Sequence, residues 1–187
     1  VKLLKKFGLA ILGLLGASHA QAYLYGCELV AQMAGPAYEI RNQRVASLLI
    51  PEQLPSEFQL TLLEQNGGWF IYQADTEWFS KTTCGPIIKQ DRSQKAYEFS
   101  PVLFNRQTGM SAVINGSFLI KTYKEADIDK IAEQYGFVKV TQLPNRFTAI
   151  FDVKPQTSYD ELLQRLDRDK NIQVAAPLLS EPRYRLR

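Results

Sequence analysis

Residues Ser117 to Leu178 switch repeatedly between strand and helix periodicity, and this alternation constrains the fold more than any other feature of the chain. Ser117 to Tyr123 reads as a strand. Glu125 to Tyr135 follows with Ile128, Ile131, Ala132 and Tyr135 at the spacing of one helical stripe, and Gly136 stands where such a helix stops. Val138 to Leu143 reads as a second strand, Pro144-Asn145-Arg146 as a tight turn, and Phe147 to Val153 as a third strand. Ser158 and Glu161 form a capping box at the start of a second helix, which carries Tyr159, Leu162, Leu163 and Leu166 on one face. Asp169-Lys170-Asn171 then turns the chain into a fourth strand, Ile172 to Leu178.

This order predicts two βαβ units in tandem. Right-handed crossovers would place both helices on one side of a four-stranded antiparallel sheet, a ferredoxin-like β-α-β-β-α-β domain over residues 116–179. The other sheet face would be left open. On the third strand, Phe147, Ala149, Phe151 and Val153 are expected to face the helices. Thr148, Ile150 and Asp152 then fall on the open face and are the candidate docking residues.

Composition shifts near Asn115-Gly116. Upstream, Phe58 to Leu63 and Gly67 to Ala74 read as a hairpin, and Tyr97 to Asn105 with Met110 to Asn115 as a second strand pair. Leu48 to Pro55 reads as a connector. Trp69, Phe70, Trp78 and Phe79 are assigned to a local core. The expected fold class is therefore α+β: a small β-rich N-terminal unit at 23–115, the ferredoxin-like domain, and an extended tail at 180–187. In that tail Arg183, Arg185 and Arg187 alternate with Tyr184 and Leu186.

Residues 1–22 read as a signal peptide. Lys2, Lys5 and Lys6 precede the apolar run Phe7 to Ala17, and small residues suit cleavage after Ala20 or Ala22. The expected location is periplasmic or secreted. The whole chain has 22 basic and 19 acidic residues and one histidine, His19. Cleavage would remove three lysines and that histidine, leaving a neutral chain without imidazole. This excludes Ser–His and Cys–His nucleophiles and histidine-ligated metals. It also argues against nucleic acid, whose binders neutralise phosphates. No catalytic residue, metal site or cofactor is assigned, and no membrane contact is expected once the signal is removed. An oxidising compartment makes Cys27 and Cys84 a candidate disulfide. The alternative is a lipid anchor at Cys27, since Leu24-Tyr25-Gly26 places an apolar and a small residue before it.

Four stretches, in this order and spacing, carry a resemblance to the prodomains of subtilisin-like serine proteases. They are Phe118 to Lys121 (FLIK), Ile131 to Val138 (IAEQYGFV), Leu143 to Val153 (LPNRFTAIFDV) and Leu162 to Pro177 (LLQRLDRDKNIQVAAP). The resemblance covers residues 117–187 and implies inhibition and assisted folding of a protease. Such prodomains dock an open sheet face on the enzyme and lay a C-terminal tail in the substrate cleft as an added strand. Here the resemblance implies a secreted external chaperone of a kexin-like subtilase, acting in trans in a one-to-one complex. Arg187 would fill the primary specificity pocket, with Leu186, Arg185 and Tyr184 in the subsites that follow. A guanidinium in the first pocket implies an acidic pocket wall. Leu186 stands where a kexin-like site prefers a second basic residue. The alternative reading is a periplasmic protein-interaction module with an unrelated partner and no protease inhibition.

Overall fold

A computed structural model describes residues 26–80, 83–153 and 159–181. The expected signal peptide, the cap at Ser158 and the tail residues Tyr184, Arg185, Leu186 and Arg187 lie outside the described residues. The described residues begin with helix α1 (Gly26–Ala34) and strand β1 (Tyr38–Ser47), followed by two 3-10 turns at Pro51–Gln53 and Ser56–Phe58. Strands β2 (Leu60–Asn66), β3 (Trp69–Ala74), β4 (Ile87–Gln90), β5 (Ala96–Asn105) and β6 (Ser111–Thr122) come next. Helix α2 (Asp127–Tyr135), strands β7 (Val138–Gln142) and β8 (Thr148–Asp152), helix α3 (Tyr159–Arg168) and strand β9 (Ile172–Ser180) complete it.

The local signals act as their chemistry requires. Gly136 ends α2 with φ +69°, and its N–H bonds back to the carbonyls of Ala132 and Glu133. Asp169 turns the chain into β9 by accepting the Asn171 amide on Oδ1 at 2.9 Å, an Asx turn.

The expected fold class is not what forms. The nine strands make one antiparallel sheet in the order β2-β3-β1-β5-β6-β8-β7, with β4 on β5 and β9 on β6, and helices are few. This replaces the ferredoxin-like domain preceded by a separate β-rich unit. The reason lies in β6. The two strands expected either side of Asn115-Gly116 are one strand of 12 residues. Its first part pairs with β5 (Val113 opposite Val102), its second part with β8 (Leu119 opposite Ile150), and β9 lies beside both parts. Gly116, at φ +82°, bulges the strand without ending it.

Apolar side chains sort onto the two faces of this sheet. The largest core joins Val30 and Ala31 of α1, Ile128 and Ile131 of α2, and Tyr159, Leu162 and Leu166 of α3 to Phe118, Ile120, Ala149 and Phe151 of the sheet. A second cluster sits where β1, β3 and β5 meet the segment around Phe79, with Val45, Tyr72, Tyr97 and Phe99 buried and Phe58, Phe70 and Trp78 packed against them. Phe58 and Phe99 both meet Trp78 edge-on, at 5.8 and 4.9 Å between ring centroids. A third, smaller cluster of Ala46, Ile71, Val102 and Val113, with Trp69 against it, spans β1, β3, β5 and β6.

Candidate docking surface

The register of β9, β6, β8 and β7 defines two sets of cross-strand rows, because residues directly opposite share a face. Ala175–Ile120–Ala149–Gln142 and Pro177–Phe118–Phe151–Lys139 form the rows that turn toward the helices. Phe118, Ile120, Ala149 and Phe151 there are fully buried. At its outer end Lys139 reaches Asp129 of α2 in an ion pair.

The alternate rows are Val174–Lys121–Thr148, Ala176–Leu119–Ile150–Thr141 and Ser117–Asp152–Val138. Leu119, Ile150 and Ala176 of the middle row are not part of the apolar core that holds the helices. Val174 is 46 % exposed and Val138 65 % exposed. Val140, the extra residue of a bulge between Lys139 and Thr141, is 60 % exposed. Leu119, Ile150 and Ala176 are half-buried in the middle row. The result is an aliphatic stripe flanked by Lys121, Thr141 and Asp152.

The candidate docking residues divide. Ile150 and Asp152 are half-buried on this face. Thr148 lies in the same set of rows but is only 3 % exposed, and its hydroxyl accepts the Asn145 Nδ2 amide at 2.9 Å. It serves the hairpin turn between β7 and β8 more than the surface. Phe147, expected to face the helices with Ala149 and Phe151, is exposed, since it precedes β8 at the end of that turn. The surface residues that periodicity on a single strand leaves out are Leu119, Val138, Val140, Val174 and Ala176. Only the pairing of four strands brings them beside Ile150.

Behind this face, Tyr159 of α3 is buried against Phe118, with ring centroids 5.1 Å apart, and its hydroxyl has no hydrogen-bond partner among the described residues. Burial pushes the pKa of that hydroxyl well above the ordinary tyrosine range, and the charges of Asp152 and Glu98 add to the effect. Tyr159 is therefore neutral.

The exit of the chain is also defined. Ser180 lies opposite Val113, and the Tyr38 hydroxyl of β1 donates to the Glu181 carboxylate. The last described residue, Glu181, thus lies beside β1. Cys84 is fully buried and disulfide-bonded, and the sequence holds one other cysteine, Cys27, in the first turn of α1. Among the described residues no group of His, Cys, Asp and Glu is arranged to hold a metal ion, and no helix is long and apolar enough to cross a membrane. No family model, curated protein or solved structure matches the chain.

Proposed function

We propose that this protein is an exported binding protein that docks a folded partner on the open face of β9, β6, β8 and β7. The partner we propose is a subtilisin-like serine protease, which the protein helps to fold and then inhibits with Tyr184, Arg185, Leu186 and Arg187. The observation that carries the docking reading is the uncovered aliphatic stripe around Leu119, Ile150 and Ala176. Such a stripe exposes apolar surface that a partner would remove from water. The identity of the partner rests on the prodomain resemblance of residues 117–187. A face that binds native protease and not the unfolded chain stabilises the native state by mass action.

The point of exit limits the geometry. Residues 182–187 reach at most about 20 Å when fully extended. The protease cleft must therefore come within that distance of Glu181 while the sheet face is engaged.

The test is co-expression of a subtilase lacking its own prodomain with the full chain, with a chain ending at Pro182, and with Ile150→Asp. The full chain should raise the yield of folded protease and inhibit it. Truncation should abolish inhibition and keep part of the folding assistance, and Ile150→Asp should reduce both. Equal yields of active protease with and without the full chain would refute the chaperone reading, and undiminished inhibition by the truncated chain would refute the role of the tail.

One observation favours a second reading, an interaction module for an unrelated partner. The half-sheet is continuous with β5 and β1 through β6, so its partner must also clear the N-terminal strands. Capture of a non-protease partner that Ile150→Asp releases would decide for it.

A further inference from the structure

Strand β1 departs from its neighbour in mid-course. Ile40 pairs with Leu103 and Val45 with Pro101, so the four residues Arg41 to Arg44 stand opposite Val102 alone. The excess residues are held on both sides. The Asn42 carbonyl accepts the amides of Trp78 and Phe79 at 3.1 and 3.3 Å, and Gln73 Nε2 donates to Gln43 Oε1 at 3.1 Å. A bulge of this kind re-aims side chains. Here the guanidinium carbons of Arg41 and Arg44 come to lie 4.7 and 5.1 Å from the centroid of the Phe104 ring.

The two charges are not equally matched. Arg41 Nη2 pairs with Glu39 Oε1 at 2.5 Å, and Glu39 also meets Arg106 Nε at 3.7 Å. Arg44 donates to the Ser111 hydroxyl at 3.4 Å and has no carboxylate at ion-pair distance among the described residues. That hydroxyl donates in turn to Glu64. Beside Arg44 opens a cavity of about 370 Å³, walled by Arg41, Gln43, Gln73 and Glu77.

We propose that this cavity binds the carboxylate of an acidic side chain presented by a peptide, with Arg44 as its principal contact. The guanidinium fork matches a planar carboxylate, and its stacking on Phe104 holds the fork in place before the ligand arrives. Of the two arginines lining the cavity, only Arg44 lacks a carboxylate at ion-pair distance among the described residues, which suits a monoanion, and Glu77 in the same wall disfavours a phosphate dianion. The side-chain amides of Gln43 and Gln73 offer donors and acceptors to the peptide groups flanking the acid. This site stands apart from the sheet face proposed for docking and is independent of it.

The test is titration of the full chain with N-acetyl-glutamate-N-methylamide, followed by the arginine Nε–Hε resonances in NMR. N-acetyl-glutamine-N-methylamide and inorganic phosphate serve as the comparison probes. The glutamate probe should move the Arg44 signal saturably while the glutamine probe leaves it in place. Arg44→Gln should weaken binding by about ten-fold or more. Arg44→Lys keeps the charge and loses the fork, and should weaken binding as well even if the glutamine variant fails to fold. Equal response to the glutamine probe, unchanged affinity in Arg44→Lys, or tighter binding of phosphate than of carboxylate would overturn the proposal.

Discussion

The carbonyl oxygen of Gly116 accepts the backbone amide of Val153 at 2.7 Å, fastening the bulge of β6 to the end of β8. This bond sits where the N-terminal and C-terminal strands become one sheet. Gly116 holds φ +82°, and a Cβ there would lie 3.1 Å from the Val153 carbonyl and 3.3 Å from Pro86 Cγ. Backbone strain and crowding act together at this residue. Gly116→Ala should therefore destabilise the protein by about 1–3 kcal/mol. The shift should appear as a lower denaturant midpoint with unchanged slope. An unchanged midpoint would mean that the bulge relaxes without cost.

A second tie joins the ends of two helices. Tyr135 at the end of α2 donates its hydroxyl to Asp169 Oδ2 at 2.9 Å, and Gln134 Nε2 donates to the same oxygen at 3.1 Å. Burial alone would raise the Asp169 pKa, but the Asn171 amide, the Tyr135 hydroxyl and the Gln134 amide outweigh it and hold the carboxyl below its ordinary 3.8. The folded state therefore favours the carboxylate more than the unfolded chain does. Its contribution is complete above the ordinary carboxylate pKa and is lost as pH falls through the depressed folded value. Tyr135 behaves oppositely. Burial, then the bond to Asp169, pushes it from 10.0 to about 12, so its contribution is complete below pH 10.0 and is lost as pH rises toward 12. Tyr135→Phe should cost about 1 kcal/mol at neutral pH, and Asp169→Asn should flatten the acid limb of stability. Urea midpoints measured from neutral to acid pH check both. An acid limb of the same steepness in Asp169→Asn would assign it to other carboxylates.

Residues 117–178 were readable because each element carries its own punctuation. Ile128 and Ile131 mark the buried stripe of α2, Gly136 stops it, and Asp169 and Asn171 close the turn after α3 by local hydrogen bonds. What could not be read is how those elements join the rest. Asn115-Gly116 has the composition of a turn, and only the pairing of β6 with β5, β8 and β9 shows that it is a bulge inside one strand. Helix α1 is 9 residues long, too short to stand alone, and depends on burying Val30 and Ala31 in the shared core. In β1 the polar run Arg41-Asn42-Gln43-Arg44 carries no alternation, because those residues have left the ladder with β5. Polarity and phase alone put Thr148 on the surface. Asn145, three residues away, satisfies its hydroxyl and lets it be buried.

The covalent link at Cys84 should account for a large share of stability. Cys84 belongs to the same core as Val30, Ala31 and Ile114. A bridge to Cys27 would close a loop of 58 residues, worth up to about 4 kcal/mol through lost freedom of the unfolded chain. Unfolding in the presence of reductant should show a midpoint lowered accordingly, and Cys84→Ala should reproduce the shift and be insensitive to reductant. Equal midpoints with and without reductant would show that the link adds nothing to equilibrium stability.

Ile150 and Phe151 are neighbours in β8 that point to opposite faces, and this makes them the sharpest comparison the fold allows. Phe151 is fully buried, opposite Phe118 on β6 and beside Phe137, with ring centroids 6.2 Å apart. Phe151→Ala should cost about 3–5 kcal/mol through lost burial and the cavity left behind. Ile150 lies half-buried in the open row between Leu119 and Thr141, outside the apolar core that holds the helices. Ile150→Asp should cost less, about 1–2 kcal/mol, because a half-buried side chain gives up only part of its contacts while Asp suits a strand poorly. It should nonetheless weaken the proposed partner strongly, because a carboxylate would have to be desolvated at the centre of the contact. Stability is read from denaturant midpoints of the free protein, and binding from titration against the partner at neutral pH. A cost for Ile150→Asp as large as that for Phe151→Ala would mean that the face is already covered within the chain. Intact stability and intact binding together would move the contact away from β8.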